Sequence, residues 1–230
     1  TSVMIPVVGG ANAGKTCFIS MAINEIENKA DALGLDYKYL KVGGDEYEDN
    51  IQRMKNGTCP QKTSDLQFRY YNFYLTPKKQ KIKNVVSVCD IAGEVFTDQE
   101  RIAKQQGYRF ADALIVIVDP LSIPEYNEEL KREMPPEDYA ALNRSTQSSN
   151  DVLSGLVNAL ESLYHTKAKD KIKKSILVVF SKGDIQGLDQ KIGKDAVTDY
   201  FKSHPEADFV TASNAVCENF LMDYGESSFL

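Results

Sequence analysis

Hydrophobic and polar residues follow one another along the chain in a pattern that is typical of an α/β protein. Four runs, at residues 3–8, 85–89, 113–118 and 176–180, are almost wholly apolar and predict strands of a sheet. The last two are continuous in apolar residues, as expected for strands buried on both faces. After the first run, apolar residues recur at three- and four-residue steps over 19–33 and predict an amphipathic helix with one buried face.

Weaker patterns lie between these runs. Alternating residues at 66–70, a polar turn at 76–80 and the apolar run 85–89 predict an antiparallel hairpin. We also predict a helix after the N-cap candidate Asp45, short strands at 37–42 and 208–210, and helices at 152–163 and 214–224. Residues 121–150 are rich in Pro, Glu, Ser and Asn, and we expect them to be partly mobile.

The order of these elements predicts the fold class. Strand, helix, hairpin, strand, helix, strand, helix, short strand and helix indicate an α/β, three-layer, doubly wound, mostly parallel sheet with one antiparallel edge strand. A chain of 230 residues is long enough for one domain with a sizeable core. We therefore expect a single domain over 1–230, with additional segments at about 36–57 and 121–150.

The composition of the chain limits which binding partners and which cellular compartment we expect. A net charge of −6 argues against a general nucleic-acid binder or a protein of anionic membrane surfaces. The four cysteines lack metal-ligand spacing, which indicates free thiols in a reducing compartment. No apolar run approaches 18 residues and no signal peptide is visible, so we expect a cytoplasmic protein. Because Thr1 lies directly before the first strand, we also expect that the chain is a domain of something longer.

The strongest local signal is the segment from Gly9 to Thr16, which has the spacing of a phosphate-binding loop between a strand and a helix. Glycines allow close approach of the backbone to phosphate, and the turned amides form an anion nest at the helix N-terminus. Lys15 is placed for the β- and γ-phosphates, and Thr16 for Mg²⁺. The predicted phosphate-binding residues here are Gly10, Ala11, Asn12, Ala13, Gly14, Lys15, Thr16 and Cys17. The alternative is a glycine-rich turn without a ligand.

A second signal follows the strand 85–89, where Asp90 begins the sequence Asp-Ile-Ala-Gly-Glu. A carboxylate at the end of the strand beside the phosphate loop can hold a water ligand of Mg²⁺. Gly93, three residues later, can offer its backbone N–H to a γ-phosphate. Asp-x-x-Gly is common by itself, so its position along the chain makes it informative.

A third signal, Ser181-Lys182-Gly183-Asp184, follows the strand 176–180. The Asp184 carboxylate can accept two hydrogen bonds from guanine, at N1–H and the exocyclic amine, which adenine cannot provide. Lys182 would lie along the base, whereas the alternative is an ordinary solvated turn. A weaker signal comes after the predicted last strand, where backbone amides of Ala212 and Ser213 would meet the guanine carbonyl oxygen.

Taken in order, these four segments resemble the successive motifs of P-loop GTPases of the Ras-like and translation-factor (TRAFAC) class. Residues 90–94 and the Asp119-Pro120 pair are also similar to bacterial GTPase domains of the double-GTPase type. The resemblance covers nearly the whole chain and implies a P-loop NTPase fold, the G-domain. It implies a Mg²⁺-dependent molecular switch that binds GTP and GDP and hydrolyses GTP slowly unless a partner completes the site.

The class also implies residues that catalyse hydrolysis, with Lys15 among them. A switch threonine should contact Mg²⁺ and the γ-phosphate shortly before the hairpin; Thr63 is the first choice and Thr58 the second. Glu94 stands where members of the class often have a water-orienting Gln, so it either orients water or repels the γ-phosphate. Arg101 is the nearest candidate for a cis arginine finger, although a solvated helix position is the simpler interpretation.

Two other functions are compatible with the same residues. Glu94 stands at the water-orienting position, and no residue is firmly assigned as an arginine finger. The chain is therefore also interpretable as a nucleotide-binding scaffold that hardly hydrolyses GTP. An ATP-dependent P-loop enzyme would retain the phosphate loop and Asp90 but would leave Asp184 unexplained. The expected partners are a guanine nucleotide, an unidentified protein effector or regulator, and other domains of a longer chain, with neither nucleic acid nor membrane.

Overall fold

The computed structural model describes residues 2–41, 46–60, 69–81, 83–91, 110–145, 147–164, 174–185 and 187–225. Within them, the strands are β1 Ser2–Gly9, β2 Leu35–Tyr39, β3 Arg69–Pro77, β4 Val85–Asp90, β5 Ala113–Val118 and β6 Ser175–Phe180. The helices are α1 Lys15–Ala30, α2 Tyr47–Lys55, α3 Pro124–Glu133, α4 Pro136–Ala141, α5 Ser149–Tyr164, α6 Leu188–Ile192, α7 Lys194–Ser203 and α8 Phe209–Asp223. A 3₁₀ turn, Pro120–Ser122, follows β5.

The strands form one sheet in the order β2-β3-β4-β1-β5-β6. The four strands β4, β1, β5 and β6 are parallel, and β3 is antiparallel to both β2 and β4. This confirms the predicted mostly parallel sheet, but the antiparallel strand β3 lies next to the edge and not at it, because β2 forms the edge. The ladder between β1 and β5 begins at Val7, directly after Pro6, which has no N–H to contribute. The carboxyl ends of the parallel strands meet at one edge on either side of β1, where open α/β sheets bind ligands.

Side chains of the central strands alternate between two hydrophobic clusters, one on each face of the sheet. Val7 and Ile117 pack with Ile19 and Ile23 of α1 on one face. Val8, Val116 and Val118 pack on the other face with residues of α3, α5, α6 and α8. Helices therefore cover both faces, and the three-layer architecture follows from the period of two along β1 and β5.

Residues 208–210 do not form the predicted last strand, and this prediction is wrong. The Asp208 side chain accepts a hydrogen bond from the Thr211 N–H at 2.7 Å and caps α8, which begins at Phe209. That hydrogen bond lowers the pKa of Asp208 below its ordinary value. In the described part of the chain β6 is consequently an edge strand. Its residues Ile176 and Leu177 are 54% exposed, so burial on both faces holds for β5 but not for β6.

The segment 121–150, expected to be partly mobile, instead forms α3, α4 and the start of α5 and contributes to the core. Pro124 and Pro136 each lie at a helix start, where a missing N–H costs nothing. Tyr126 is fully buried and packs edge-on against Phe220, with ring centroids 5.5 Å apart. Burial raises the pKa of Tyr126 to about 12. Composition misled the prediction because few apolar residues, well spaced, suffice to anchor short helices.

Within the described residues, none of the helices has the length and apolar character needed to cross a membrane.

Candidate functional site

A cavity of about 700 Å³ lies at the carboxyl edge of the sheet, between the loops that follow β1 and β6. One wall comes from the predicted phosphate loop and the first turn of α1, and the opposite wall from the segment after β6. The residues named in the sequence analysis that line it are Ala11, Asn12, Gly14, Lys15, Thr16, Cys17, Ser181, Lys182 and Asp184. The structure therefore brings two motifs that lie about 170 residues apart in the chain into one cavity.

The phosphate loop has the geometry of an anion-binding turn. Gly14 has φ +87°, a left-handed conformation that favours glycine, and it is the N-cap residue of α1 without a side-chain cap. At Gly9, a Cβ atom would lie 2.7 Å from the Ile117 carbonyl oxygen, so the close packing of β1 against β5 requires glycine. The N-terminus of α1, with its positive dipole end, thus opens onto the cavity wall.

Lys15 is buried beneath the loop and holds it in shape. Its Nζ donates hydrogen bonds to the carbonyl oxygens of Gly9 at 3.0 Å and Gly10 at 2.8 Å. The residue is only 7% exposed, yet it lines the cavity. Lys15 therefore places a positive charge at the phosphate loop, next to the carbonyl groups that it binds.

The metal-binding pair predicted from the sequence comes together next to the loop. Thr16 Oγ1 donates to Asp90 Oδ2 at 2.6 Å, across 74 residues of sequence. Asp90 is fully buried at the end of β4, where it pairs in register with Val7 of β1. A hydroxyl and a carboxylate are hard oxygen donors of the kind that Mg²⁺ prefers. Among the described residues, no three His, Cys, Asp or Glu side chains converge as a metal centre, at this pair or away from it.

Two cysteines contribute to the same wall. Cys17, in the first turn of α1, and Cys59, after α2, both line the cavity. Burial, and secondarily the neighbouring Cys59, raises the pKa of Cys17 above its ordinary value. At neutral pH the Cys17 thiol is therefore protonated and behaves as a small apolar group in this wall.

The opposite wall is built where β6 ends. The Ser181 N–H donates to the Val118 carbonyl oxygen at 2.9 Å, which ties the segment to the end of β5. Lys182 has φ +56°, an uncommon conformation for a residue with a side chain. Asp184 is exposed and lines the cavity two residues later. Its carboxylate is thus accessible from the cavity, as recognition of a base would require.

Lys182 has a partner that sequence reasoning did not assign. Its Nζ lies 2.5 Å from Asp119 Oδ2, in an ion pair whose carboxylate is fully buried and whose lysine side chain is 18% exposed. Asp119 also accepts from the N–H groups of Leu121 at 3.0 Å and Ser145 at 2.8 Å. A carboxylate directly after a buried strand is a signal for a site, but in the sequence Asp119 was noted only for its similarity to a family.

The connection between α4 and α5 completes the site and was also not foreseen. Lys182 Nζ donates to the carbonyl oxygen of Asn143. Further along, Gln147 Oε1 accepts from the Ala11 N–H of the phosphate loop at 3.1 Å. The connection therefore touches both walls of the cavity, although its residues match no motif.

Ala212 and Ser213 do not reach the cavity, and their predicted position after a strand is wrong. Both lie in the first turns of α8, and neither lines the cavity. Ala212 is fully buried, and its N–H donates to the Asp208 carbonyl oxygen at 3.0 Å. Because the helix uses this amide, it has no capacity left for a guanine oxygen.

Several predicted residues lie outside the described part of the chain: Thr63, Gly93, Glu94 and Arg101. The second choice for the switch threonine, Thr58, is described. Its hydroxyl donates to the Arg53 carbonyl oxygen at 2.9 Å and it does not line the cavity, although its neighbours Cys59 and Pro60 do. In this structure Thr58 caps the end of α2.

Comparison with known proteins agrees with the fold. No curated protein matches the chain. A family model described as Double-GTPase 2 matches residues 3–222, almost the whole chain. This covers β1, the phosphate loop, Asp90 and the segment Ser181–Asp184 in one alignment. The protein belongs to the Double-GTPase 2 family (DO-GTPase2) and has the α/β fold of a P-loop G-domain.

Proposed function

We propose that the protein binds guanine nucleotides in the cavity and hydrolyses GTP as a Mg²⁺-dependent molecular switch. The observation that carries this proposal is the meeting of the phosphate loop and the Ser181–Asp184 segment on opposite walls of a cavity of about 700 Å³. That volume lies in the range of small-molecule sites. Phosphates bound at the loop would leave the base facing Asp184. Membership of a GTPase family supports the same assignment.

On the phosphate side, the chain's own groups supply positive potential. Lys15 and the N-terminus of α1 face the position where β- and γ-phosphates would lie. In a partly enclosed site such charges act more strongly than in water, and they are already in place before the nucleotide arrives. Lys15 would exchange one of its two carbonyl partners, Gly9 or Gly10, for a phosphate oxygen.

The residues near the loop fit Mg²⁺. Thr16 Oγ1 would bind the ion directly and Asp90 Oδ2 would hold it through a water molecule, and we propose Thr63 as a further ligand. When bound, Mg²⁺ would neutralise charge on the phosphates. The hydrogen bond between Thr16 and Asp90 keeps both oxygen atoms oriented towards each other, next to the loop.

On the base side, Asp184 would accept from N1–H and the exocyclic amine of guanine. Adenine offers a donor and an acceptor in different places, so it would leave the carboxylate unsatisfied. Ser181 and Lys182 would support the base pocket. The ion pair with Asp119 fixes the amine of Lys182 in one position. The aliphatic stem of Lys182 would then be held in place to pack along the guanine base.

In the proposed reaction, a water oxygen forms a bond to the γ-phosphorus as the bond from that phosphorus to the β–γ bridging oxygen breaks. GDP leaves with the bridging oxygen, and inorganic phosphate carries the water oxygen. Lys15 stabilises the charge that develops on the bridging and γ-oxygens. We propose Glu94 and Thr63 as further catalytic residues and Gly93 as a γ-phosphate contact. Loss of phosphate would release their segments and switch the surface offered to an effector or regulator.

Equilibrium binding tests the choice of base. We expect fluorescent GDP to bind tightly in the presence of Mg²⁺, to be displaced by GTP, and to be displaced by ATP only at far higher concentration. Asp184→Asn should weaken GDP binding roughly tenfold or more, since it removes hydrogen bonds to a charged group. Asp223→Asn, at an exposed position in α8, is the matched control. Tighter binding of ATP than of GTP would contradict the guanine assignment and favour an ATP-dependent enzyme.

Single-turnover hydrolysis separates the switch from a nucleotide-binding scaffold. We expect release of phosphate from bound GTP that is abolished in Lys15→Ala and altered in Glu94→Gln. Tight GTP binding with no phosphate release above the Lys15→Ala background would support the scaffold instead.

A further inference from the structure

The connection between α4 and α5, called here the α4–α5 connection and described at residues 142–145, 147 and 148, lies against both walls of the cavity. It reaches the phosphate loop through Gln147, whose Oε1 accepts from the Ala11 N–H at 3.1 Å. It reaches the base side through Asn143, whose carbonyl oxygen accepts from Lys182 Nζ. The connection therefore makes one hydrogen bond to each of these two motifs.

The α4–α5 connection packs tightly on the phosphate loop. A Cβ atom at Gly10 would lie 2.3 Å from Ser145 Oγ and 3.4 Å from the Gln147 carbonyl oxygen. Gly10 does not have a positive φ, so the requirement for glycine comes from this contact and not from the backbone conformation. The backbone of the loop and the connection are therefore in direct contact, with no room for a side chain between them.

The connection is itself held in place at several points. The Ser145 N–H donates to the buried Asp119 carboxylate, and Ser145 Oγ donates to the Gln147 carbonyl oxygen at 3.1 Å. At its end, Ser148 Oγ accepts from the Asp151 N–H at 3.0 Å and so caps α5. These hydrogen bonds hold the connection to Asp119 at one end and to the start of α5 at the other.

Gln147 contacts the loop from behind. Ala11 lines the cavity, whereas Gln147 does not. A group in that position supports the backbone of the loop without occupying the space of a phosphate. We infer that Gln147 is a positioning residue for the nucleotide site: it holds Ala11 of the phosphate loop in place and, through the α4–α5 connection, links that loop to Lys182 and Asp119. The expected effect of Gln147 on nucleotide binding rests on the proposed function. The hydrogen bonds that form the link are present without nucleotide.

Two substitutions that keep the length of the Gln147 side chain distinguish the effect of its hydrogen bond from the effect of its packing. Gln147→Met keeps the size of the side chain but offers only a weak acceptor, whereas Gln147→Glu keeps an acceptor oxygen. Gln80→Met, in the exposed turn after β3, is the matched control. We expect Gln147→Met to release GDP roughly tenfold faster, with unchanged preference for GDP over ADP, and Gln147→Glu to stay within about threefold of the wild type.

Amide hydrogen exchange in the nucleotide-free protein tests the link without any nucleotide. The Ala11 N–H should exchange about tenfold faster in Gln147→Met than in the wild type, and should regain protection in Gln147→Glu. It should also exchange several-fold faster in Lys182→Met, or in the milder Ser145→Ala if Lys182→Met does not fold, while amides of β1 and β5 stay unchanged. A structural defect alone would accelerate all of these amides together.

The outcomes are distinct. Unchanged Ala11 exchange in Gln147→Met would overturn the inference, and so would slower release of GDP, which would mean that Gln147 competes with phosphate. Unchanged Ala11 exchange in both Lys182→Met and Ser145→Ala would overturn the link between the walls. If the wild type bound no guanine nucleotide, the proposed function would fail, while the exchange data would still decide whether Gln147 holds the loop.

Discussion

The two walls of the cavity each contain a lysine, and the two lysines are held in opposite ways. Lys15 donates to Gly9 and Gly10, which lie six and five residues before it in the chain. Lys182 pairs with Asp119 and with the carbonyl oxygen of Asn143, which lie 63 and 39 residues away. The lysine of the phosphate wall is thus held within one contiguous motif, whereas the lysine of the base wall is held by the ends of separate elements. The position of Lys182 therefore depends on distant residues more directly than that of Lys15 does.

The largest effect should come from the buried partner of the base wall. Asp119→Ala removes a fully buried carboxylate and leaves Lys182 and the Ser145 N–H without it. We expect a loss of about 3–5 kcal/mol in the free energy of unfolding, the usual result of breaking a buried ion pair on one side. Urea unfolding measures it, with Asp223→Ala as the exposed control. A loss below about 1 kcal/mol would show that the base wall is not assembled around this pair.

On the phosphate wall, the effect should fall mainly on ligand binding. Lys15→Ala removes the charge beneath the loop, and we expect roughly 100-fold weaker GDP binding, since several charge-assisted hydrogen bonds to phosphate are lost. Lys29→Ala, at an exposed position in the same helix, is the control and should change little. Titration of fluorescent GDP measures both variants. Binding within about threefold of the wild type would remove Lys15 from the site.

The difference between the walls also explains what the sequence predicts. The apolar run 113–118 predicts β5 at its observed bounds, because a strand buried on both faces contains no polar residue. The phosphate loop and the approach of Thr16 to Asp90 are predictable because their spacing is local or set by neighbouring parallel strands. Asp184 follows the end of β6 and lines the cavity for the same reason, while its contact with guanine stays a prediction.

Features that depend on tertiary partners are not predictable in this way. Phe209 and Val210 are 69% and 65% exposed, so their apolar character does not report a buried strand, and the capping side chain of Asp208 starts a helix instead. This is why Ala212 and Ser213 were assigned to the base wall. Gln147 and Asn143 belong to no motif, and nothing local indicates that they meet Ala11 and Lys182. Thr63 and Glu94 stay predictions.

A smaller effect should appear where the two walls touch. Gly10→Ala places a methyl group 2.3 Å from Ser145 Oγ, so the Ser145 side chain must rotate or the loop and the α4–α5 connection must separate. We expect a loss of about 1–2 kcal/mol in the free energy of unfolding, as for other overpacked sites. Adding Ser145→Ala removes the nearest atom and should recover part of it. Equal losses in the single and double variants would show that Ser145 is not the obstacle.

The smallest expected effect is a pH-dependent change in the free energy of unfolding, caused by residues that pack behind the base wall. Glu129 of α3 accepts from the Tyr224 hydroxyl at 2.6 Å and pairs with Lys191 of α6 at 2.9 Å. Tyr224 in turn packs on Phe220, which contacts Phe180 at the end of β6. The hydrogen bond from Tyr224, followed by the one from Lys191, lowers the pKa of Glu129 below its ordinary value. The folded state therefore binds the proton at Glu129 less readily than the unfolded state does.

A group with a lowered pKa stabilises the fold above its unfolded pKa, near 4.3 for Glu, and loses that contribution as the pH falls through the folded value. Glu129→Gln should therefore reduce the free energy of unfolding by about 1 kcal/mol at pH 7. The difference from the wild type should shrink as the pH drops below about 4, because Glu129 itself becomes neutral. Glu128→Gln, which is exposed in the same helix, is the control and should leave the free energy of unfolding at pH 7 nearly unchanged. A difference in the free energy of unfolding that is constant with pH would mean that Glu129 acts through its shape and not through its charge. The base wall would then not depend on an ionised group packed behind it.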